Sequence, residues 1–242
     1  MTERQSKILY KVISDYINTA SPISSGSLIA NSNFDISPAT MRIEMNQLEK
    51  DGYLMQPHVS SGSIPTDKAY RFFVDKILEK NKDQKDSNVS KIKNELLPGN
   101  ESDDYIRNTQ DIVRKLAEKS SSLALTYLSD DDFFITQGWE NLLLEPEFRE
   151  ADYMKRFIKM INSLEDQMGQ LCSMCDDPQE LSIYIGKENR IKQSQEFSII
   201  VTQCQTGESN KKAIIALMGP KRMSYEKNIN LLKLANDIFQ NF

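Results

Sequence analysis

Ser37-Pro38-Ala39-Thr40-Met41-Arg42-Ile43-Glu44-Met45-Asn46-Gln47-Leu48-Glu49-Lys50-Asp51-Gly52 decides how the first part of the chain is read. Ser37 is an N-cap residue type, and Pro38 falls at the first helical position, where its missing N–H is no loss. Ile36 and Met41 stand at hydrophobic-staple spacing. Met41, Met45 and Leu48 recur at i, i+4 and i+7 and form an inward stripe. The opposite face holds Ala39, Ile43, Asn46 and Lys50, with Arg42 and Gln47 at its flanks. Asp51-Gly52 ends the helix.

The flanking residues extend the pattern. Upstream, Thr2 and Gln5 have capping-box spacing, and Ile8, Leu9, Val12, Ile13, Tyr16 and Ile17 carry a helix to about Asn18. Ser21-Pro22 breaks it. Ser24 or Ser25 caps a short second helix with Leu28 and Ile29, and Asn31-Ser32-Asn33 is a loop. Downstream, Tyr53-Leu54-Met55 is a short strand. Ser60-Ser61-Gly62-Ser63 is a turn, and Ile64-Pro65 starts a return strand that Pro confines to an edge. Thr66 caps a fourth helix with Tyr70, Phe73, Val74 and Ile77 inside. Three helices and a hairpin are the order of a winged helix-turn-helix, in which the third helix enters a DNA major groove.

The chemistry of that third helix suits the task. Asn46 and Gln47 match adenine, Ile43 can press on a thymine methyl, and Arg42 reaches guanine or a phosphate. Lys50, Ser37 and Thr40 lie beside them. Arg4, Lys7 and Lys11 form a cationic stripe on the first helix. His58, Ser61 and Ser63 belong to the wing. These thirteen residues are the candidate DNA contacts.

Charge opposes an easy version of this reading. Residues 1–80 carry nine Lys/Arg against nine Asp/Glu, and the whole chain of 242 residues has a net charge of −5. A domain that relies on neutralising phosphates shows a local positive excess. The placement of the few cations must therefore do the work. A second reading follows from the same balance: a protein-interaction or ligand-sensing module without specific DNA binding.

Residues 81–104, rich in Lys, Asp, Asn and Ser with Pro98-Gly99, read as a solvated linker, with one short helix hinted at by Val89, Ile92 and Leu96. A helix from about Ser102 to Lys119 follows. Ser122–Ser129 and Phe133–Gln137 are strand-like, joined by an acidic turn. Asp152–Met174 is helical. Leu181–Ile185, Phe197–Cys204 and Lys212–Met218 are three more strands, with turns near Gly186-Lys187 and Gly207-Glu208. Ser224 caps a final helix. The expected domains are 1–80, a linker over 81–104, and an antiparallel α+β domain over 105–242.

Enzyme chemistry lacks its parts. His58 is the single histidine of the chain, so no nucleophilic triad or metal cluster assembles around it. Cys172-x-x-Cys175 has a metal-like spacing, but it ends an apolar helix and reads as core. Gly219-Pro220-Lys221-Arg222 either binds an anion at a helix start or makes a turn, with Arg222 and Tyr225 fixing the helix or an interface. The turn is the better reading. Three cysteines make no disulfide framework. The longest clean apolar run, Ala213–Met218, is far short of a bilayer span, and no secretory signal opens the chain. A soluble cytoplasmic protein with no cofactor, metal or membrane partner is expected.

Several of these stretches resemble one family. Ser37–Met45 with Leu48–Leu54 is similar to the recognition-helix block of the bacterial heat-inducible transcription repressor family, HrcA. Gln56–Phe72 resembles its wing, Met218–Glu226 its C-terminal signature, and Leu9–Pro22 its helical opening. The resemblance implies a stress-responsive repressor of chaperone genes. It implies binding as a homodimer to an inverted-repeat operator, through a winged helix followed by a GAF-like sensor domain, with a chaperonin as modulator. The chain departs from the pattern at Gly26 or Ser27 and at Ser63, where Arg is usual, and at Ile43, where Asn is usual. By the same resemblance, a dimerising insertion and part of the sheet are missing between Leu128 and Phe133, where only Ser129-Asp130-Asp131-Asp132 stands.

Overall fold

The computed structural model describes residues 1–31, 34–58, 61–81, 89–98, 105–166, 181–189, 192–205 and 212–241. The chain forms two compact units, Met1–Asp83 and Gln84–Phe242. The fold is α+β, with a two-stranded hairpin in the first unit and a five-stranded antiparallel sheet in the second.

In the first unit, α1 spans Glu3–Thr19, and its predicted capping box is formed. The Gln5 amide N–H donates to Thr2 Oγ1 at 3.2 Å, and the Thr2 N–H donates to Gln5 Oε1 at 2.8 Å. Ile8, Leu9, Val12 and Ile13 are fully buried. Ser24 caps α2 (Ser25–Ala30), accepting from the Ser27 N–H at 3.0 Å. Ser37 caps α3 (Pro38–Lys50) through the Thr40 N–H at 3.1 Å, and Met41, Met45 and Leu48 face inward as read.

The end of α3 is set by Gly52, whose φ of 77° lies in the left-handed region. There the Tyr53 N–H returns to the Leu48 carbonyl and the Gly52 N–H to that of Glu49, both at 2.9 Å. These are the two bonds of a Schellman motif, which satisfy carbonyls the helix leaves open. The chain therefore turns directly into β1 (Leu54–Met55), which pairs antiparallel with β2 (Ile64–Pro65). Thr66 precedes α4 (Asp67–Asn81), and its hydroxyl donates to the Gly52 carbonyl at 2.8 Å. Tyr70, Phe73, Val74 and Ile77 close the core against α1, where the Tyr10 and Phe73 rings meet at 4.6 Å.

A third pairing completes this hairpin. Ile23, in the link from α1 to α2, bridges antiparallel to Ser63, with two N–H···O=C bonds of 2.9 Å. Gly62 permits it: a Cβ there would lie 2.6 Å from the Ile23 backbone. The glycine is needed for close approach of two backbones.

In the second unit, α5 (Val89–Leu96) falls within the stretch read as linker, and it buries Leu96 in this unit. α6 spans Tyr105–Ser120; residues 102–104 of the expected helix lie outside the described residues. The strands are β3 (Leu123–Leu128), β4 (Phe133–Gln137), β5 (Ser182–Ile185), β6 (Phe197–Gln205) and β7 (Lys212–Pro220), in the order β4-β3-β7-β6-β5. Strand alternation divides the two faces. Leu125, Phe197, Ile199, Val201, Ala216 and Met218 pack on Phe157, Met160, Ile161 and Leu164 of α8 (Ala151–Asp166). The other face is covered by α6 and the last helix, α9 (Tyr225–Phe239). Both faces are buried, so the strands read as nearly continuous apolar runs.

Among the elements that escaped the sequence reading are a short helix and a 3₁₀ turn. Trp139–Leu142 forms a short helix, α7, and Pro146–Arg149 a 3₁₀ turn. Each is only four residues long, too short for periodicity to register. The turn at Gly186-Lys187 is a 3₁₀ segment, Gly186–Glu188. Ser224 occupies the N-cap of α9, but its side chain makes no capping bond. Tyr225 anchors that end instead. Its hydroxyl lies 2.7 Å from Ser198 Oγ and donates to the Lys221 carbonyl at 2.6 Å.

Arg222 shares in this arrangement. Its Nε donates to Glu147 Oε1 at 2.6 Å and its Nη2 to Glu147 Oε2 at 2.8 Å, a bidentate pair, and Nη2 also reaches Glu145. Burial pulls the Arg222 pKa down, but the bonds and charges of Glu147 and Glu145 outweigh it and hold the pKa above the ordinary value. The Gly-Pro-Lys-Arg stretch therefore makes a turn whose arginine pins the Glu145–Arg149 segment. Cys172, Cys175 and the Gly207-Glu208 turn lie outside the described residues. Among the described residues no helix is long and apolar enough to cross a membrane.

Two substitutions test this packing. Gly62→Ala destabilises the first unit by roughly 1–3 kcal/mol through overpacking. Arg222→Ala, which strands two carboxylates, destabilises the second unit by about 2–3 kcal/mol, scaled down from a fully buried pair because the glutamates are partly exposed. Urea denaturation of each variant measures both, and a midpoint equal to wild type refutes the corresponding contact.

Candidate nucleic-acid interface

The outward side of α3 is open. Ile43 is 67% exposed, one of several large apolar side chains on the surface. Arg42, Asn46, Gln47 and Lys50 are exposed around it, and Thr40 is half-buried. Arg42, Asn46 and Lys50 have no side-chain partner among the described residues. Gln47 is tethered one turn on, donating to Asp51 Oδ1 at 2.9 Å. The Ser37 and Thr40 hydroxyls lie 2.9 Å apart and serve the cap.

The hairpin forms a second wall. A groove of about 280 Å³ runs between α3 and this hairpin, lined by Arg42, Asn46, Glu49, Gln56, Ser61 and Ser63 among others. His58 is exposed and outside the lining. Ser61 shapes the loop: its Oγ accepts the His58 N–H at 3.1 Å and donates to the His58 carbonyl at 2.8 Å. Ser63 is not on the surface. It is 2% exposed, and its hydroxyl donates to Glu49 Oε1 at 2.6 Å.

The α1 cations are engaged. Lys7 pairs with Glu3 at 2.7 Å and Lys11 with Asp15 at 2.6 Å, each one turn along the same helix. The hydrogen bond and charge of Lys7 hold the Glu3 carboxyl below its ordinary pKa. Arg4 lies 3.4 Å from Glu44 of α3. None of the three lines the groove. The structure thus brings Arg42 and Asn46 of α3 together with Ser61 and Ser63 of the hairpin in one groove, leaves Ser37, Thr40, Ile43, Gln47, Lys50 and His58 outside its lining, and leaves Lys7 and Lys11 paired on α1.

Sequence reading passed over Glu49, Gln56 and Glu44. Glu49 and Gln56 line the groove. Glu44 locks the helices, accepting Gln5 Nε2 at 3.0 Å as well as Arg4. Glu49 was within reach of the helical pattern, since it follows Asn46 by three and Arg42 by seven positions. Gln56 depends on where the strand passes, which no local pattern reports. Glu44→Ala, which leaves the nearly buried Gln5 amide without its acceptor, lowers stability by about 1 kcal/mol. Arg4→Gln, which removes only an exposed ion pair, changes it by less than about 0.5 kcal/mol. Thermal melts of the two variants rank them, and equal effects would refute this division.

The family model for the HrcA protein C-terminal domain matches residues 68–229. The heat-inducible transcription repressor HrcA of Geobacter sulfurreducens is 26% identical over 328 aligned positions, which cover 96% of this chain and 95% of that protein. Those 328 positions exceed the 242 residues here, so that relative carries segments this chain lacks. The repressor of the same name from a Thermoanaerobacter species is 55% identical over 78 residues, 32% of this chain and 23% of that protein. A crystal structure described as that of a hypothetical protein superposes with a TM-score of 0.79 at 18% identity, covering 99% of this chain and 98% of the other. That match carries the fold alone. With a family model that spans most of its length, the chain belongs to the HrcA family.

Proposed function

We propose that this chain is a DNA-binding transcriptional repressor of heat-shock (chaperone) genes that binds an inverted-repeat operator as a homodimer in the cytoplasm. The first unit acts as a winged helix-turn-helix, with α3 in the major groove and the hairpin along the backbone. The second unit acts as a GAF-like sensing and dimerising domain, and a chaperonin modulates the repressor. The domains in this reading are 1–80 and 105–242, with 81–104 between them. The observation that carries it is the solvent side of α3, where Arg42, Asn46 and Lys50 are exposed around Ile43 and have no side-chain partner among the described residues. The names of the relatives supply the repressor, and the family resemblance supplies the chaperonin. Two-fold pairing follows from an inverted repeat, which asks for matching symmetry.

The charge distribution sets the style of binding. The α1 cations meet acids of their own unit, so phosphate neutralisation falls mainly to Arg42 and Lys50. Two such cations from each of two protomers neutralise about four phosphates, giving a log–log salt slope of about −3.6, shallow for an operator-binding dimer. Base edges must then supply much of the selectivity. Asn46→Ala costs about 1–3 kcal/mol at one base pair and relaxes preference there. Lys50→Gln weakens all duplexes alike and reduces the slope. Gel-shift titration of an inverted-repeat duplex across salt tests this reading, with light scattering for the dimer. Equal affinity for scrambled DNA overturns it.

A further inference from the structure

Glu49 holds a half-buried carboxylate that makes no ion pair among the described residues. It lies on the groove wall with Arg42, Asn46 and Gln56. A partly desolvated charge without a cation is unfavourable for the fold, and a carboxylate repels phosphate. A surface that only gripped a nucleic-acid backbone would do better without it.

The carboxylate is also held rigidly. Its Oε1 accepts the Ser63 hydroxyl at 2.6 Å. Ser63 is in turn fixed by the two 2.9 Å backbone bonds to Ile23, and the neighbouring Gly62 leaves no slack between the two strands. One carboxylate oxygen is thus committed to the hairpin, and the other has no hydrogen-bond partner among the described residues, on a groove wall it shares with Arg42 and Asn46.

We propose that Glu49 is a specificity-determining residue: a fixed acceptor for the exocyclic amino group of a base, which at the same time repels misplaced phosphate. Cytosine N4 and adenine N6 are the amino groups a major groove presents. The assignment rests on the DNA-binding reading above. Ser63 acts as its positioning residue.

The test uses the full chain. Wild type, Glu49→Gln and Ser63→Ala are each presented with random-sequence duplexes, and the wild-type-selected duplex is compared with a scrambled one by gel shift. Glu49→Gln is expected to bind scrambled DNA several-fold tighter and to lose roughly tenfold in discrimination, the value of one good base contact. Ser63→Ala is expected to lose part of that discrimination without gaining on scrambled DNA. Replacing the contacted base by an analogue without its amino group should weaken wild type about tenfold and leave Glu49→Gln unchanged. A Glu49→Gln discrimination ratio within about twofold of wild type, with the circular dichroism spectrum intact, overturns the assignment. If that variant unfolds, an unchanged ratio in Ser63→Ala overturns it. A wild-type chain with no preferred duplex fails in its own arm, and the DNA-binding reading falls with the assignment.

Discussion

The first unit depends on the close approach of two backbones, Ile23 and Ser63. Their paired N–H···O=C bonds join the link between α1 and α2 to the base of the hairpin. Two paired residues per strand would be marginal alone, because an isolated two-stranded ribbon has little to hold it. The third contact makes it part of the core, and Gly62 is the residue that permits it. Everything on the groove side follows. Ser63 is turned inward, Glu49 is held, and the hairpin stands at a set distance from α3.

The second unit solves a different problem. Its sheet is covered on both faces, so polar groups on the α9 side need partners inside the fold. Ser198 meets Tyr225, Asn228 donates to Ser122 at 3.1 Å, and Asn236 reaches Thr202 at 3.4 Å. These bonds give α9 a register against the sheet that apolar packing alone would leave loosely specified. Arg222 plays a similar part at the mouth of the last turn, where it draws two glutamates of a distant segment into one cluster. The residues that resemble a family signature are thus those that close the fold.

Charge economy links the two levels. The first unit has as many acidic as basic residues, and it uses Glu3, Asp15 and Glu44 to occupy the cations of α1. What remains exposed on α3 is a mixed surface that includes one guanidinium, one ammonium, two amides and an isoleucine. Such a surface favours contacts that depend on geometry over contacts that depend only on charge.

Local chemistry made most elements legible in the sequence. The Thr2 box, the Ser37-Pro38 start and the Asp51-Gly52 end act within one turn of helix, so their residues suffice to place them. The outward side of α3 was legible for the same reason, since 3.6-residue periodicity needs no knowledge of the rest of the chain. Other features were decided only by the tertiary structure. The pairing of β3 with β7, with Leu128 opposite Ala213, joins residues far apart in the chain. So does the clasp of Arg222 on Glu147. A serine in a turn reads as exposed, yet Ser63 is buried because Ile23 arrives beside it. Lysines with helical spacing read as a stripe, yet their charge is spent on carboxylates that the same helix turn brings near. Sequence spacing sets which way a side chain leaves the backbone; what it meets there depends on segments folded in from elsewhere.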